Sequence, residues 1–330
     1  MSEESDDEGL TYAETGVDID ASEAATAALI NAAGEFEGDY AGLVDIGDQY
    51  LALATDGVGT KLLVAEAIEE YSTIGIDCLA MNVNDLVAQG VRPVAFVDYL
   101  AVEEPDDAMA EQIGDGLREG AEESNVALVG GETAVLPDVI KGFDIAGACA
   151  GLAPKGAIFP GEAEPGDLLV GWASSGVHSN GLTLAREAVR RDHEYTDPFP
   201  PNPERSIAEE LLEPTRLYTD LLGPLQEAGV HGAAHVTGGG WTNLTRLGDH
   251  HYEITDPFEA QPVFEFIQEE GNVSDEEMHR TFNMGTGFVA AASPESAEQL
   301  AEAADGRVIG EVTEAESEDG SVAIRGLELA

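Results

Sequence analysis

The chain is predicted to fold as two α/β (α+β) domains, and three observations carry that expectation. Apolar runs of strand length alternate with amphipathic segments of helix length, glycine-rich turns punctuate the joints, and a proline-rich stretch breaks the pattern near its midpoint. At roughly 100–200 residues per domain, a chain of 330 residues that is 43% apolar can build two cores.

Leu51–Thr55 reads as a strand ending in the turn Asp56-Gly57-Val58-Gly59-Thr60, and Lys61–Tyr71 follows as a helix with Leu62, Ala65 and Ile68 on one face. Val94–Leu100 reads as a buried strand and Asp106–Ser124 as an acid-rich amphipathic helix. Val126–Val129 is a strand closed by Gly130-Gly131, and Phe143–Leu152 another strand. Pro154, Pro160 and Pro165 then fall within twelve residues, which divides the chain into residues 1–160 and 161–330. The alternation restarts with a strand at Asp167–Ala173 and a helix at Leu182–Arg191. Residues 197–203 hold four prolines and read as irregular, because proline lacks the donor for ladder and helix bonds. Helices are expected near Ser206–Leu212, Arg216–Ala228, Pro262–Glu270 and Pro294–Ala304, with strands near Gly287–Ala292, Arg307–Val312 and Val322–Arg325.

Charge is the unusual feature. Lys and Arg total 14 against 66 Asp and Glu, a net of −52, and only Lys61, Lys141 and Lys155 are lysines. The acids are spread between apolar segments instead of forming one tail, so they read as a folded surface. Such a surface has no basic face for a nucleic-acid backbone. No run approaches the ~20 apolar residues of a membrane span. The acidic start Met1–Glu8 is unlike a signal peptide, so a soluble, cytoplasmic protein is expected. Two cysteines, Cys78 and Cys149, make no disulfide framework and read as small buried side chains.

Four glycine-punctuated segments carry the chemistry. In the first, Gly57 and Gly59 let backbone approach a phosphate beside Thr60 and Lys61, while Asp56 suits a hard cation; the spacing is not that of a P-loop. In the second, Asn84 and Asp85 offer oxygen ligands, though Asn-Asp alone is more often a cap or turn. In the third, Gly130, Gly131 and Thr133 offer an anion nest next to Glu132. Asp56, Asp85 and Glu132 with one lysine make the composition of a magnesium–nucleotide site. The fourth, Ser174, Ser175, Gly176, His178, Ser179 and Asn180, opens a helix and reads as a seat for a substrate phosphate. His178 is there a candidate proton carrier. Gly239 and Gly240, after His235, and Asn283 and Gly285 form two more loops of this kind. No Gly-x-Ser-x-Gly elbow or zinc spacing is present.

Taken in order, these segments resemble the phosphoribosylformylglycinamidine cyclo-ligases, also called aminoimidazole ribonucleotide synthetases. The resemblance runs from Tyr12–Asp20 through Thr55–Lys61, Thr73–Asp77, Asn82–Leu86, Phe96–Tyr99, Gly130–Ala134, Ser174–Gly181, Pro214–Arg216 and His235–Gly240 to Arg280–Gly285. It implies two α/β domains, with the N-terminal sheets of two subunits pairing in a homodimer. It implies ATP and Mg2+ as cofactors and a small ribonucleotide substrate, cyclised after phosphoryl activation of its formyl oxygen. Lys61, Asp85 and His178 take the catalytic roles on this reading. Departures are the shortened Gly38–Leu43, Val102-Glu103-Glu104-Pro105 in place of a glycine-lysine pair, and Glu23 near a family asparagine. Alternatives are another small-molecule kinase of the superfamily, thiamine monophosphate kinase-like, or a non-catalytic nucleotide-binding subunit.

The acidic surface gives a testable expectation. In dilute buffer like charges repel, whereas near molar salt the Debye length shrinks to ~3 Å and the repulsion is screened, as in a halophile's cytosol. The melting temperature should therefore climb steadily with KCl; a flat response would remove the halophilic reading.

Overall fold

The computed structural model describes residues 9–17, 40–315 and 320–329. Asp18–Asp20, Glu23 and Gly38-Asp39, singled out in the sequence, lie outside the described residues.

The first domain runs through β1 (Gly42–Asp45), β2 (Gln49–Gly57), α1 (Leu62–Ile68), α2 (Ile74–Ala88), β3 (Arg92–Val102), α3 (Asp107–Ser124), β4 (Ala127–Val135) and β5 (Phe143–Pro154). Its sheet has the order β1-β2-β5-β3-β4. Only β3 and β4 pair in parallel, with α3 as their crossover. Strand alternation puts Phe143, Ile145 and Cys149 of β5 and Phe96 of β3 on the inner face, under α2. Asp106 caps α3, accepting from the amides of Ala108 (2.9 Å) and Met109 (3.0 Å). Met109, Ile113, Leu117 and Ala121 then recur at helical spacing and are buried. The two helices touch through glycines: a Cβ on Gly75 would lie 2.2 Å from the Leu117 nitrogen.

The second domain contains β6 (Leu168–Ala173), α4 (Leu182–Val189), β7 (Pro198–Phe199), β8 (Asn202–Ser206), α5 (Ile207–Leu211), α6 (Leu222–Ala228), β9 (Gly232–His235), β10 (His251–Ile254), α7 (Pro262–Gly271), α8 (Asp275–Thr281), β11 (Thr286–Ala292), α9 (Pro294–Ala303), β12 (Arg307–Thr313), β13 (Ser321–Ile324) and β14 (Leu327–Leu329). Its seven-stranded sheet has the order β14-β13-β10-β12-β6-β11-β9. Every residue of β11 is buried, as expected of a central strand covered on both faces. Among the described residues no helix is long and apolar enough to cross a membrane.

Several local expectations change in the folded chain. Asp56 and Gly57 continue β2 instead of forming a turn, and Asn82–Leu86 lies inside α2. Gly130–Thr133 belongs to β4, paired with Val97–Leu100, so its amides form no nest. A Cβ on Gly131 would stand 2.4 Å from an Asp98 carboxylate oxygen, so a larger residue there would turn the Asp98 side chain aside. The first helix stops at Ile68, where Glu69 turns left-handed (φ 55°). The helix expected from Arg216 starts only at Leu222, since Asn84 claims the Arg216 carbonyl (2.9 Å) and the Tyr218 amide (2.9 Å). The proline-rich loop contains the short β7–β8 pair.

The domains are joined by a buried ion pair. Lys61 and Asp77 are both fully buried, with Nζ 2.8 Å from Asp77 Oδ2. Nζ also donates to the Glu213 carbonyl at 2.7 Å. Asp77 Oδ1 accepts from the Thr215 amide at 2.8 Å and its hydroxyl at 2.7 Å. The pair thus holds Glu213, through Lys61, and Thr215, through Asp77, in the second domain. Removing one member of a buried pair strands the other charge, at about 3–5 kcal/mol. Lys61→Met should lower the denaturation free energy by about that amount. Lys61→Met with Asp77→Asn should recover much of it, because the amide still accepts from Thr215 without carrying charge. A single variant that unfolds at the wild-type midpoint would refute this role.

Candidate functional site

The end of β2, the start of the following helical turn and the loop before α4 enclose a cavity of about 430 Å3. Asp56, Gly57, Gly59, Thr60, Asp144, Ser179, Asn180 and Thr183 are among its lining residues, so both domains contribute. Thr60 and Thr183 hydroxyls hydrogen-bond across it at 2.7 Å.

Asp56 is fixed by its backbone. Its amide donates to Asn82 Oδ1 at 3.0 Å, Asn82 Nδ2 donates to its carbonyl at 3.1 Å, and its carboxylate accepts from the Gly57 amide at 2.7 Å. Burial of the carboxyl, then the neighbouring Asp85 carboxylate, raise its pKa from 3.8 to about 6. Asp85 reaches the same region from α2, and its Oδ1 is 2.9 Å from His235 Nδ1. The Asn84 amide faces His235 Nε2 at 3.4 Å, and its Oδ1 is committed to the Tyr218 amide, so the nitrogen side must point at the ring. That assigns Nε2 as acceptor and Nδ1–H as the donor to Asp85.

Two of the three loops that the sequence marks for substrate bond to each other in the second domain. Ser174 donates its amide to the Gly285 carbonyl (2.9 Å), and Asn283 donates to the Gly176 carbonyl (2.9 Å) while accepting from the Gly285 amide (2.9 Å). The loop through Gly239 and Gly240 is tied by Asn243, which accepts from the Thr237 amide at 2.7 Å. Ser175 Oγ donates to the Pro214 carbonyl (2.5 Å), and Ser179 shares a hydrogen bond with Thr215 (3.1 Å). The loop is therefore anchored to the segment that Asp77 holds.

Three sequence assignments change. Lys61 faces the domain junction, not a phosphate; burial, opposed by Asp77, lowers its pKa. His178 is buried in a left-handed conformation (φ 63°), and its Nε2 accepts from the Ser175 amide at 3.1 Å. Burial lowers its pKa well below 6.5, and the ring's bond to the Ser175 amide shapes the loop. Glu132 is exposed on β4, level with Gly57 but three strands away, roughly 14 Å at ordinary strand spacing. Among the described residues no group of three or more His, Cys, Asp or Glu side chains could hold one metal ion. Asp56, Asp85 and Glu132 therefore do not gather within one chain. Conversely, Tyr12, Asp144 and Thr183 line the cavity without having been singled out; Tyr12 alone stood in a motif that the sequence marked.

Residues 38–153 match the family described as AIR synthase related protein, N-terminal domain, and residues 164–323 match its C-terminal domain. The chain is 47% identical over 97% of its length to a phosphoribosylformylglycinamidine cyclo-ligase of Methanococcoides burtonii, covering 98% of that protein. A cyclo-ligase of Pyrococcus furiosus is 45% identical over 88% of this chain and 90% of the relative. Among solved structures, thiamine monophosphate kinase from Aquifex aeolicus superposes with a TM-score of 0.67 at 16% identity, over 95% of this chain and 99% of that one. A second, tt0281 from Thermus thermophilus, gives 0.64 at 23% identity, over 93% and 97%. At these identities the two structures speak for the fold alone.

The raised Asp56 pKa has a signed consequence. Ionising Asp56 costs more in the folded than in the unfolded chain, so stability falls as pH rises from 3.8 to about 6. Asp56→Asn should therefore raise the melting temperature of the metal-free chain hardly at all near pH 4, increasingly up to pH 6 and by a constant amount above it. A gain independent of pH would contradict the assignment.

Proposed function

The chain belongs to the AIR synthase related protein family, and on that premise we propose that it is a phosphoribosylformylglycinamidine cyclo-ligase. The reaction is ATP-dependent ring closure of formylglycinamidine ribonucleotide to aminoimidazole ribonucleotide in purine biosynthesis. The observation that carries this reading is near-half identity to named cyclo-ligases over almost the whole chain. The likeness to thiamine monophosphate kinase lies at 16% identity and lends no comparable weight to a kinase.

In this reading ATP transfers its γ-phosphoryl group to the formyl oxygen. An internal nitrogen then attacks the activated carbon, the ring closes and phosphate leaves. The strands and turns around Gly57, Gly59 and Thr60 face the nucleotide, and the loops around Ser174–Asn180, Gly239, Gly240, Asn283 and Gly285 hold the ribonucleotide. Asp56 and Asp85 fit a magnesium ion, since their mutual repulsion raises the Asp56 pKa and a dication would relieve it. Such an ion supplies charge neutralisation at the transferred phosphoryl group. Asn84 and His235 keep the Asp85 carboxylate in place. The cavity between the domains keeps nitrogen against carbon.

We assign the active form as a homodimer. Leu53, Val97, Tyr99, Leu128, Val129, Val135 and Leu152 are exposed on the first sheet, large apolar side chains of the kind that mark a protein contact. β4 is its open edge strand, and Glu132 and the Gly130–Thr133 stretch belong to that surface. We place residues 1–160 in the nucleotide-binding and pairing domain, 161–330 in the second, and the enzyme in the cytoplasm.

A coupled assay in concentrated KCl tests the activity. ADP release should require formylglycinamidine ribonucleotide, match aminoimidazole product one to one and fall at least a hundredfold in Asp85→Asn, the order of loss when a charge-stabilising group goes. The active fraction should sediment at twice 34.6 kDa. ADP release with thiamine monophosphate instead would replace the cyclo-ligase with a kinase.

A further inference from the structure

Residues 9–17 lie across the second domain and supply one side of the cavity. The Leu10 amide donates to the Gly271 carbonyl at 3.2 Å, and the Tyr12 amide donates to Glu277 Oε1 at 2.6 Å. Gly9 packs so tightly that a Cβ would stand 1.9 Å from the Asn272 carbonyl oxygen. The segment also closes on itself: the Thr11 amide donates to Glu14 Oε2 (3.2 Å) and the Val17 amide to the Tyr12 carbonyl (3.2 Å). Its anchors are all on or beside α7 and α8, so Tyr12 moves with the substrate loops of the second domain.

Tyr12 lines the cavity, and its hydroxyl faces the Gly181 amide at the start of α4. A phenol hydroxyl there has its own proton to give. Burial raises the Tyr12 pKa, which keeps that proton in place. The cavity needs such a donor. No lysine or arginine is among its described lining residues, and Lys61, the nearest in sequence, is spent on Asp77 and Glu213. An anionic ligand must there be met by neutral groups, the amides and hydroxyls of Thr60, Ser179, Asn180, Thr183 and Tyr12, and be held off the Asp56 and Asp144 carboxylates that line the same cavity.

We propose that Tyr12 is a substrate-positioning residue whose hydroxyl, in the wall of the cavity, donates to the phosphate group of the ribonucleotide. The inference rests on the cyclo-ligase reading for the identity of that ribonucleotide. It also gives the N-terminal segment a role in choosing phosphorylated over unphosphorylated substrate.

The test is steady-state kinetics of Tyr12→Phe in concentrated KCl, with wild type alongside. Losing a hydrogen bond to a charged group should raise KM for formylglycinamidine ribonucleotide about tenfold or more. The KM for ATP should stay at its wild-type value and kcat within about twofold, because the bond is made equally in ground and transition states. A wild type that turns over the ribonucleotide beside an unaltered Tyr12→Phe would overturn the role of Tyr12 alone, as would a rise in the ATP KM instead. A wild type that ignores this substrate would overturn both the cyclo-ligase reading and the inference. Should Tyr12→Phe melt early, Glu277→Ala, which frees the Tyr12 amide but keeps the hydroxyl, must show the same split between the two KM values; an unchanged ribonucleotide KM there overturns the proposal.

Discussion

The buried ion pair between Lys61 and Asp77 is the constraint on which the rest of the site depends. Two opposite charges without access to water must satisfy one another and every remaining donor and acceptor, or the fold loses several kcal/mol. Here they do so by recruiting the Glu213 carbonyl and both donors of Thr215. That segment in turn receives Ser175 and Ser179 from the loop before α4. A charge pair in the first domain thereby sets where the second domain presents its hydroxyls. The cavity between the domains follows from that spacing.

With so few basic residues, their placement is informative. Each of the three lysines meets a carboxylate: Lys61 with Asp77, Lys141 with Glu103 and Lys155 with Asp45. The two exposed pairs add little to stability, as surface ion pairs usually do. They do show that scarce positive charge is spent locally against a surplus of acid. The cavity is left to neutral donors and to two aspartates, Asp56 and Asp144, and burial together with the nearby Asp85 carboxylate raises the Asp56 pKa.

Much of the fold was legible from periodicity. The long strands near Val94, Phe143 and Arg307 and the helices near Asp106, Pro262 and Pro294 have strong alternation or amphipathic spacing, and each is present within a few residues. The short strands β9, β10 and β14 have too few residues to show a period, and they pass unnoticed in the sequence. The motif at Asn82–Leu86 misleads for a different reason. Asn and Asp favour turns in isolation, but in α2 Asn82 and Asn84 satisfy their amides on Asp56, Cys78, Arg216 and Tyr218. Tertiary partners override the local preference.

Composition and motif order determined the class of the protein: two α/β domains, an acidic surface with no basic face, and a run of glycine- and carboxylate-bearing segments shared with one family. These are properties of the chain read along its length. Only the tertiary structure decided which groups face one another. It turned Lys61 inward, made His178 a strut and set Glu132 three strands from Gly57. It also brought Tyr12 to Gly181 across some 170 positions of sequence, roughly the length of one domain. A lysine beside a glycine turn has the same sequence whether it meets a phosphate or an aspartate. Desolvation and the nearest opposite charge choose between them, and both exist only once the chain has folded.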